Sequence, residues 1–492
     1  MRTVTIVGAS LSGLYAAREL RAQGFEGRLV IVGDEAHRPY DRPPLSKDFL
    51  TGRTDETQLA LTDPEETADL QAEWLLGIRA RGLDPRTRTV LLDDGRAVPT
   101  DGLVIATGAS ARRLPGDHLT GIHTLRTLDD ARALREELTR GPRRVVVIGA
   151  GFIGAETASS CAALGHRVTV IEAAPLPLLP QLGPEMAAVC AELHRRGGVE
   201  LITGTGVAAL RGTGAVMAVT GALGEGAVTG VAGACGAAGA MTGVAGACGA
   251  AGAVTGVAGA LGAGAVTGVA EPYGEGVVTG VAGSHGWGAV TGAAGPPGSS
   301  AVAGSAGPRG SGTVTGVALT DGRTLPADIV IIGIGATPNT GWLTGSTLAL
   351  HDGVLCDDGC VTSLPQVVAV GDVARVGGSR AEHWTSATEQ PRVAVANLLA
   401  GRTVETVCSV PYFWSDQYGA RIQFAGRRQD GDTVRIVEGD ATAPDGGGFL
   451  ALYEREGCTT AVLAVDRPRP FLRVRRELAR GVGNVRAPSQ SS

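Results

Sequence analysis

The sequence predicts an α/β protein with two parallel-sheet lobes and a small α+β domain toward its C-terminal end. Three observations carry this expectation. A strand, a glycine-rich turn, a helix and a second strand follow one another over residues 3–35. The same succession returns over 144–172. After residue 404, alternating runs such as Arg421-Ile-Gln-Phe-Ala425 and Phe449-Leu-Ala-Leu-Tyr453 suggest a small antiparallel domain. Two such βαβ units imply two Rossmann-like dinucleotide-binding domains.

In the first unit Val4-Thr-Ile-Val7 is apolar and β-branched, Leu14, Ala17 and Leu20 have helical spacing, and Leu29-Val-Ile-Val32 is the second strand. In the second, Val145-Val-Val-Ile148 leads through Gly149-Ala-Gly-Phe-Ile-Gly154 and a helix of small residues to Val168-Thr-Val-Ile-Glu172. Asp328-Ile-Val-Ile-Ile332 and Val367-Val-Ala-Val370 read as further buried strands, 385–400 as a helix, and Phe471 to Arg480 as a basic helix before a polar tail. The expected division is 1–112 with 337–403 as one dinucleotide domain, 113–336 as the other, and 404–492 as the α+β domain.

Between about 207 and 317 the composition changes. Gly makes up 76 of the 492 residues, and the excess is concentrated here. Thr229, Thr242, Thr255, Thr267, Thr279 and Thr291 mark near copies of Val-Thr-Gly-Val, a low-complexity tandem repeat. Residues 226–270 carry no charge, but Gly and Ala dominate and Leu is nearly absent, unlike a membrane span. The repeat reads as an insertion in a hairpin whose strands flank it.

The turns point to chemistry. In Gly149-Ala-Gly151-Phe152-Ile153-Gly154 the first glycine makes the tight turn, the second lets a diphosphate approach the backbone, and the third lets helix pack on strand. Glu172, ending the next strand, is placed to hold a ribose 2′-hydroxyl and to repel a 2′-phosphate, which favours NADH over NADPH. The first turn, Gly8-Ala-Ser10-Leu-Ser-Gly13, has Ser at the middle position, and Glu35 after its second strand suits an adenosine ribose. One turn for each of two dinucleotides suggests FAD and NADH. Ala106-Thr107-Gly108 closes a strand between the lobes, and Gly371-Asp372 would set a carboxylate on a flavin ribityl chain.

With these motifs the sequence resembles the flavoprotein ferredoxin reductases of the glutathione-reductase structural class. It is similar to reductases serving ring-hydroxylating dioxygenases and haem-thiolate monooxygenases, and to putidaredoxin and rubredoxin reductases. The stretches that carry the resemblance include Arg38-Pro-Tyr-Asp-Arg-Pro-Pro-Leu-Ser-Lys47, Leu125 to Arg132, Gly149 to Glu156, Gly333 to Asn339, Glu382-His-Trp384 and Pro411-Tyr-Phe-Trp-Ser-Asp-Gln417. The resemblance implies that Lys47 lies beside the flavin N5 edge and pairs with Glu156, which approaches the nicotinamide. It implies that Arg42 and Arg126 help hold FAD, that Asp372 takes the ribityl chain, and that Trp384 sits near the flavin on the acceptor side. Ala80 and Gly335 join the cofactor-binding set on the same ground.

Composition and cysteine use narrow the class. Net charge is −6, so no basic excess invites nucleic acid or an anionic membrane. The eight Cys contain no C-x-x-C pair, and no metal site is expected. No Cys precedes Cys161, which excludes the thiol relay of disulfide reductases; Cys356 and Cys360 are read as structural. The start, Met1 to Gly8, runs straight into a strand without a signal-peptide build, so a reduced, cytoplasmic setting is expected. The expected partner is a small iron–sulfur ferredoxin (or rubredoxin) and through it an oxygenase, with the chain a monomer or homodimer. The arginines from Arg467 to Arg480 are either its docking patch or a solvated helix face. Two other readings stay open: a flavin NADH oxidase or quinone reductase without a protein acceptor, and a flavin-bound redox sensor or scaffold.

Overall fold

In the computed structural model the described residues are 1–213, 215–219, 241–244, 266–269, 312–441, 443 and 447–481. The chain divides into two compact units, Met1–Ala218 with Gly310–Ser492, and Val219–Arg309.

Two five-stranded parallel sheets form the larger unit's centre. In the first, Val367–Ala369, Gly102–Ile105, Thr3–Val7, Arg28–Gly33 and Ala72–Leu76 lie side by side. In the second, the order is Glu200–Thr203, Arg167–Glu172, Arg144–Ile148, Ile329–Ile332 and Ile122–Thr124. Every neighbouring pair in both sheets is parallel. The central strands are buried on both faces, which is why they read as unbroken apolar runs rather than alternating ones. In each sheet the βαβ turn leads from a strand into a helix, Leu11–Ala22 and Phe152–Ala163.

The lobes share a further feature. Between Ala72–Leu76 and Gly102–Ile105 the first inserts an antiparallel sheet, Ala80–Asp84, Thr89–Leu92 and Ala97–Pro99. At the corresponding place the second carries Ala215–Ala218, Val207–Gly212, Val314–Leu319 and Thr324–Pro326, in that spatial order. Val207–Gly212 pairs directly with Val314–Leu319, and Gly212 stands opposite Val314. The strands flanking the repeat therefore form the expected hairpin. Most of the repeat lies outside the described residues; in the smaller unit Met241–Val244 pairs in parallel with Val266–Val269, Thr242 beside Thr267.

The C-terminal part is a five-stranded antiparallel sheet in the order Tyr412–Gln417, Ala420–Gly426, Cys458–Val465, Phe449–Arg455, Thr433–Gly439, with the helix Pro468–Ala479 packed on one face. Phe449 to Tyr453 are all buried, because Phe471 and Val474 of that helix cover one face while Leu182, Met186 and Cys190 cover the other. Among the described residues no helix is long and apolar enough to cross a membrane.

Candidate functional site

Both turns meet a steric limit. Gly8 has φ +122°, and a Cβ there would lie 2.0 Å from the Ala106 carbonyl oxygen; Gly149 has φ +98°, and its Cβ would lie 2.4 Å from that of Gly333. A Cβ on Gly13 would sit 1.8 Å from Gly8 O, and one on Gly154 2.0 Å from Gly149 O. Helix packs on strand only if these side chains are absent. Both helices start without a side-chain cap, at Ser10 and Gly151, leaving their first N–H groups free for an anion.

Both turns open on one cavity of about 970 Å³. Gly8, Ser10, Glu35, Arg42, Lys47, Ala80, Ala106, Thr107 and Gly108 line it, with Arg126, Gly151, Phe152, Ile153, Glu156, Gly335, Asp372 and Trp384. Gly13, Gly149, Gly154, Glu172 and Gly371 do not. The reason is physical: the four glycines face neighbouring protein atoms, Gly371 backing onto Ser12, so they shape the walls rather than form them. Glu172 is turned to the backbone, accepting from Ala150 N–H at 2.7 Å and Ala174 N–H at 2.9 Å.

Arg42 is the hub of the first turn. Its guanidinium donates to Glu35 at 2.5 Å, to the Arg126 carbonyl at 2.6 Å and to Ser10 Oγ at 3.2 Å. Burial opposes its charge, yet neighbouring Tyr40 and Glu35 hold its pKa above the ordinary value. Tyr40 donates to the other Glu35 oxygen at 2.5 Å, and burial, chiefly, raises the phenol's pKa. Arg126 in turn pairs with Asp372 at 2.6 Å. The wall thus presents carboxylates already matched by arginines, suited to a dinucleotide's hydroxyl and diphosphate groups.

On another wall Lys47 and Glu156 meet. Lys47 Nζ lies 2.6 Å from Glu156 Oε2 and also donates to Pro43 O at 2.9 Å. Lys47 follows the 3₁₀ turn Pro43–Ser46, and Glu156 lies in the second turn of the helix Phe152–Ala163, so the pair joins the two sheets' segments. Nearby, Trp384 donates its indole N–H to Asp41 at 3.3 Å, and burial raises the Asp41 pKa against the pull of Trp384 and Lys47.

This combination of parallel sheets, glycine turns and a shared cavity agrees with the chain's similarity to known proteins. The family model described as "Pyridine nucleotide-disulphide oxidoreductase" matches residues 2–259 and 300–391, and "Reductase C-terminal" matches 412–489. The chain belongs to the pyridine nucleotide-disulphide oxidoreductase family. It is 30% identical to the biphenyl dioxygenase system ferredoxin–NAD(+) reductase component of Paraburkholderia xenovorans, over 95% of this chain and 91% of that protein. It is 28% identical to putidaredoxin reductase of Pseudomonas putida, over 95% and 89%. Among solved structures, the covalent putidaredoxin reductase–putidaredoxin complex matches with a TM-score of 0.72 at 27% identity, covering 97% of this chain and 93% of that one.

For a family named after a disulphide, the thiols here are placed elsewhere. Cys161, Cys190 and Cys356 have their pKa pushed up to about 12, in each case chiefly by burial, and Cys360 is raised further for the same reason. They are held protonated, and a thiol is a poor nucleophile. Cys356 and Cys360 are both free.

The structure also brings in residues that no motif singled out. Ser46 Oγ donates to Glu156 Oε2 at 2.5 Å and Ser415 Oγ to Oε1 at 2.7 Å. Phe413 packs on Phe152 at 4.4 Å between ring centroids, and both line the cavity with Trp414. Ser46 and Ser415 lie inside stretches quoted for the family resemblance, but only the folded chain shows that they point at one carboxylate.

Proposed function

We propose that the protein is an NADH-dependent, FAD-containing reductase that passes electrons to a small iron–sulfur ferredoxin serving an oxygenase. The observation that carries this reading is the single cavity onto which both dinucleotide turns open, with the Lys47–Glu156 pair in its wall. Bound FAD would supply the chemistry that links a two-electron hydride donor, NADH, to a one-electron carrier. In this reading 1–112 with 337–403 hold FAD, 113–336 receive NADH, and 404–492 complete the site and meet the acceptor.

The chain's own residues provide binding and electrostatics. Glu35, Arg42, Arg126 and Asp372 hold the FAD, with Ser10, Ala80, Ala106, Thr107, Gly108 and Gly335 letting it approach the backbone. Gly151, Phe152 and Ile153 would receive the NADH diphosphate at the second helix's free N–H groups, and Glu172, outside the cavity lining and held on the Ala150 and Ala174 N–H groups, acts on the ribose end through its charge. Lys47 holds a positive charge against the cavity, where negative charge gathers during reduction, and Glu156 fixes that ammonium group.

Toward the acceptor, Trp384 and Trp414 lie 6.2 Å apart between ring centroids, Trp414 and Tyr412 5.6 Å, and the Arg475 guanidinium covers Tyr412 at 4.2 Å. This row runs from the cavity wall to the helix Pro468–Ala479, which exposes Arg469, Arg473 and Arg476. Such a face suits an acidic iron–sulfur protein.

The test is to reduce the enzyme anaerobically with NADH and mix it in a stopped-flow instrument with a [2Fe–2S] ferredoxin or with oxygenated buffer. Faster reoxidation by the ferredoxin is expected; equal or faster reoxidation by oxygen favours the oxidase reading. The double variant Arg473→Glu with Arg476→Glu should raise the KM for ferredoxin and flatten its salt dependence. An unchanged KM removes that helix from the docking face.

A further inference from the structure

The buried Glu156 carboxylate, 3% exposed, is held from two places far from it in the chain. Ser46 and Lys47 donate to Oε2, and Ser415 donates to Oε1. Oε1 therefore depends on the C-terminal sheet. Ser415 lies in the strand Tyr412–Gln417, where side chains alternate between faces. Tyr412 and Trp414 point to the ring row, whereas Phe413 packs on Phe152 and Ser415 reaches Glu156.

Gln417, the next residue on that second face, is 1% exposed and donates its Nε2–H to Ser415 Oγ at 2.9 Å. A hydroxyl has one hydrogen. With Gln417 donating to its oxygen, that hydrogen is directed to Glu156. Among the described residues the Gln417 Oε1 has no hydrogen-bond partner, a cost that a buried glutamine bears without return unless its amide has a task. Its other polar contact is the bond to Ser415, and that bond leads only to Glu156.

We propose that Ser415, oriented by Gln417, is a positioning residue for Glu156, setting the carboxylate plane and with it the place of the Lys47 ammonium group. The proposal rests on the reading of the protein as an NADH-dependent flavin reductase. A carboxylate gripped at one oxygen can turn about its last side-chain bond; a donor on the second oxygen stops the turn. The C-terminal sheet then serves the arrival of NADH as well as the departure of electrons.

The experiment uses the FAD-loaded full chain and three variants, Ser415→Ala, Gln417→Glu and Ser415→Thr. Gln417→Glu has nearly the same size and, assayed at alkaline pH where the buried carboxyl is ionised, presents only acceptors to Ser415, so it draws the hydroxyl hydrogen away from Glu156. Flavin reduction by NADH in single turnover should slow about tenfold in Ser415→Ala and Gln417→Glu, the size expected for losing a hydrogen bond to a charged group. Ser415→Thr should restore the rate. Calorimetric titration of the oxidised enzyme with NAD⁺ should change much less than the rate, since the ion pair is misplaced rather than the coenzyme cradle. Wild-type reduction rates in both Ser415→Ala and Gln417→Glu overturn the proposal while leaving the reductase reading standing. So does a Ser415→Ala that only lowers the melting temperature and FAD content while Gln417→Glu reduces normally. Failure of the unaltered protein to be reduced by NADH overturns the reductase reading instead.

Discussion

The turn from Gly8 to Gly13 and the turn from Gly149 to Gly154 meet the same steric demand at their ends and differ at the middle residue and at the acid. In both, the first glycine donates its N–H at 2.7 Å to the end of the neighbouring strand, Val32 O or Ile171 O. In both, the last glycine faces the carbonyl of the first. At the middle, Ser10 offers its hydroxyl to Arg42, whereas a Cβ on Gly151 would meet nothing within 4 Å. Glu35 is gripped by two side chains, Arg42 and Tyr40, and Glu172 only by backbone N–H groups. Where backbone meets backbone, one residue type is possible. Where the chain faces the cavity, the residues follow what the cavity holds: a connected side-chain network suits a cofactor that stays, and an open rim, with Ile153 45% exposed, suits a coenzyme that comes and goes.

The sharpest way to break this comparison is to add one methyl group at each kind of position. Gly154→Ala sets a Cβ against a backbone oxygen that cannot retreat without parting helix from strand, and should cost more than about 3 kcal/mol. Gly151→Ala, at φ −71°, should alter stability by no more than about 0.5 kcal/mol, while raising the KM for NADH where the diphosphate passes. Thermal unfolding of the two variants with NADH kinetics of the second decides it. Equal destabilisation by both would mean that the two kinds of position do not differ.

The difference also explains what was legible in the sequence. Turns and strand-end acids carry fixed spacings, so they stand out in a single chain, whereas the Lys47–Glu156 pair is implied only by the family resemblance. The serine partners of Glu156 do not stand out, since Ser46 and Ser415 lie 110 and 259 residues from it and any serine could fill such a place. Phe449 to Tyr453 read as an alternating run and do form a strand, but all five are buried, because both faces of the sheet are covered, so the expected alternation is absent. Glycines 13, 149, 154 and 371 belong to the motifs as cofactor residues, yet their contacts are with protein atoms. A motif records which residue is required and not which neighbour requires it.

The acids give a smaller and more specific contrast. Glu172 has both oxygens anchored and its charge fixed beside the second turn, so wild-type enzyme should favour NADH over NADPH by about tenfold or more in kcat/KM, or about 1.4 kcal/mol. Glu172→Ala should narrow that gap but also strand the Ala150 N–H. Glu172→Gln removes the charge and keeps an acceptor, so it should narrow the gap with less loss of stability. Equal use of the two coenzymes by the wild type would show that Glu172 guards no ribose.

The smallest effect is expected at Ser10, where the two turns differ most visibly. Serine is a favoured helix cap, but this one does not cap the helix it precedes. Its hydroxyl accepts instead from Arg42 Nε at 3.2 Å, a long bond, and Arg42 keeps two shorter ones to Glu35 and Arg126. Removing the hydroxyl therefore leaves the arginine anchored and the helix N–H groups as free as before. Glycine at an N-terminal cap position costs only a few tenths of a kcal/mol, so Ser10→Gly should bind FAD with an affinity close to that of the wild type. Arg42→Ala, which removes all three bonds, should release FAD on dilution or gel filtration. Fluorescence of FAD freed from each variant measures both. If Ser10→Gly sheds FAD as readily as Arg42→Ala, the hydroxyl is part of the diphosphate cradle, and the first turn depends on its middle side chain in a way that the second does not.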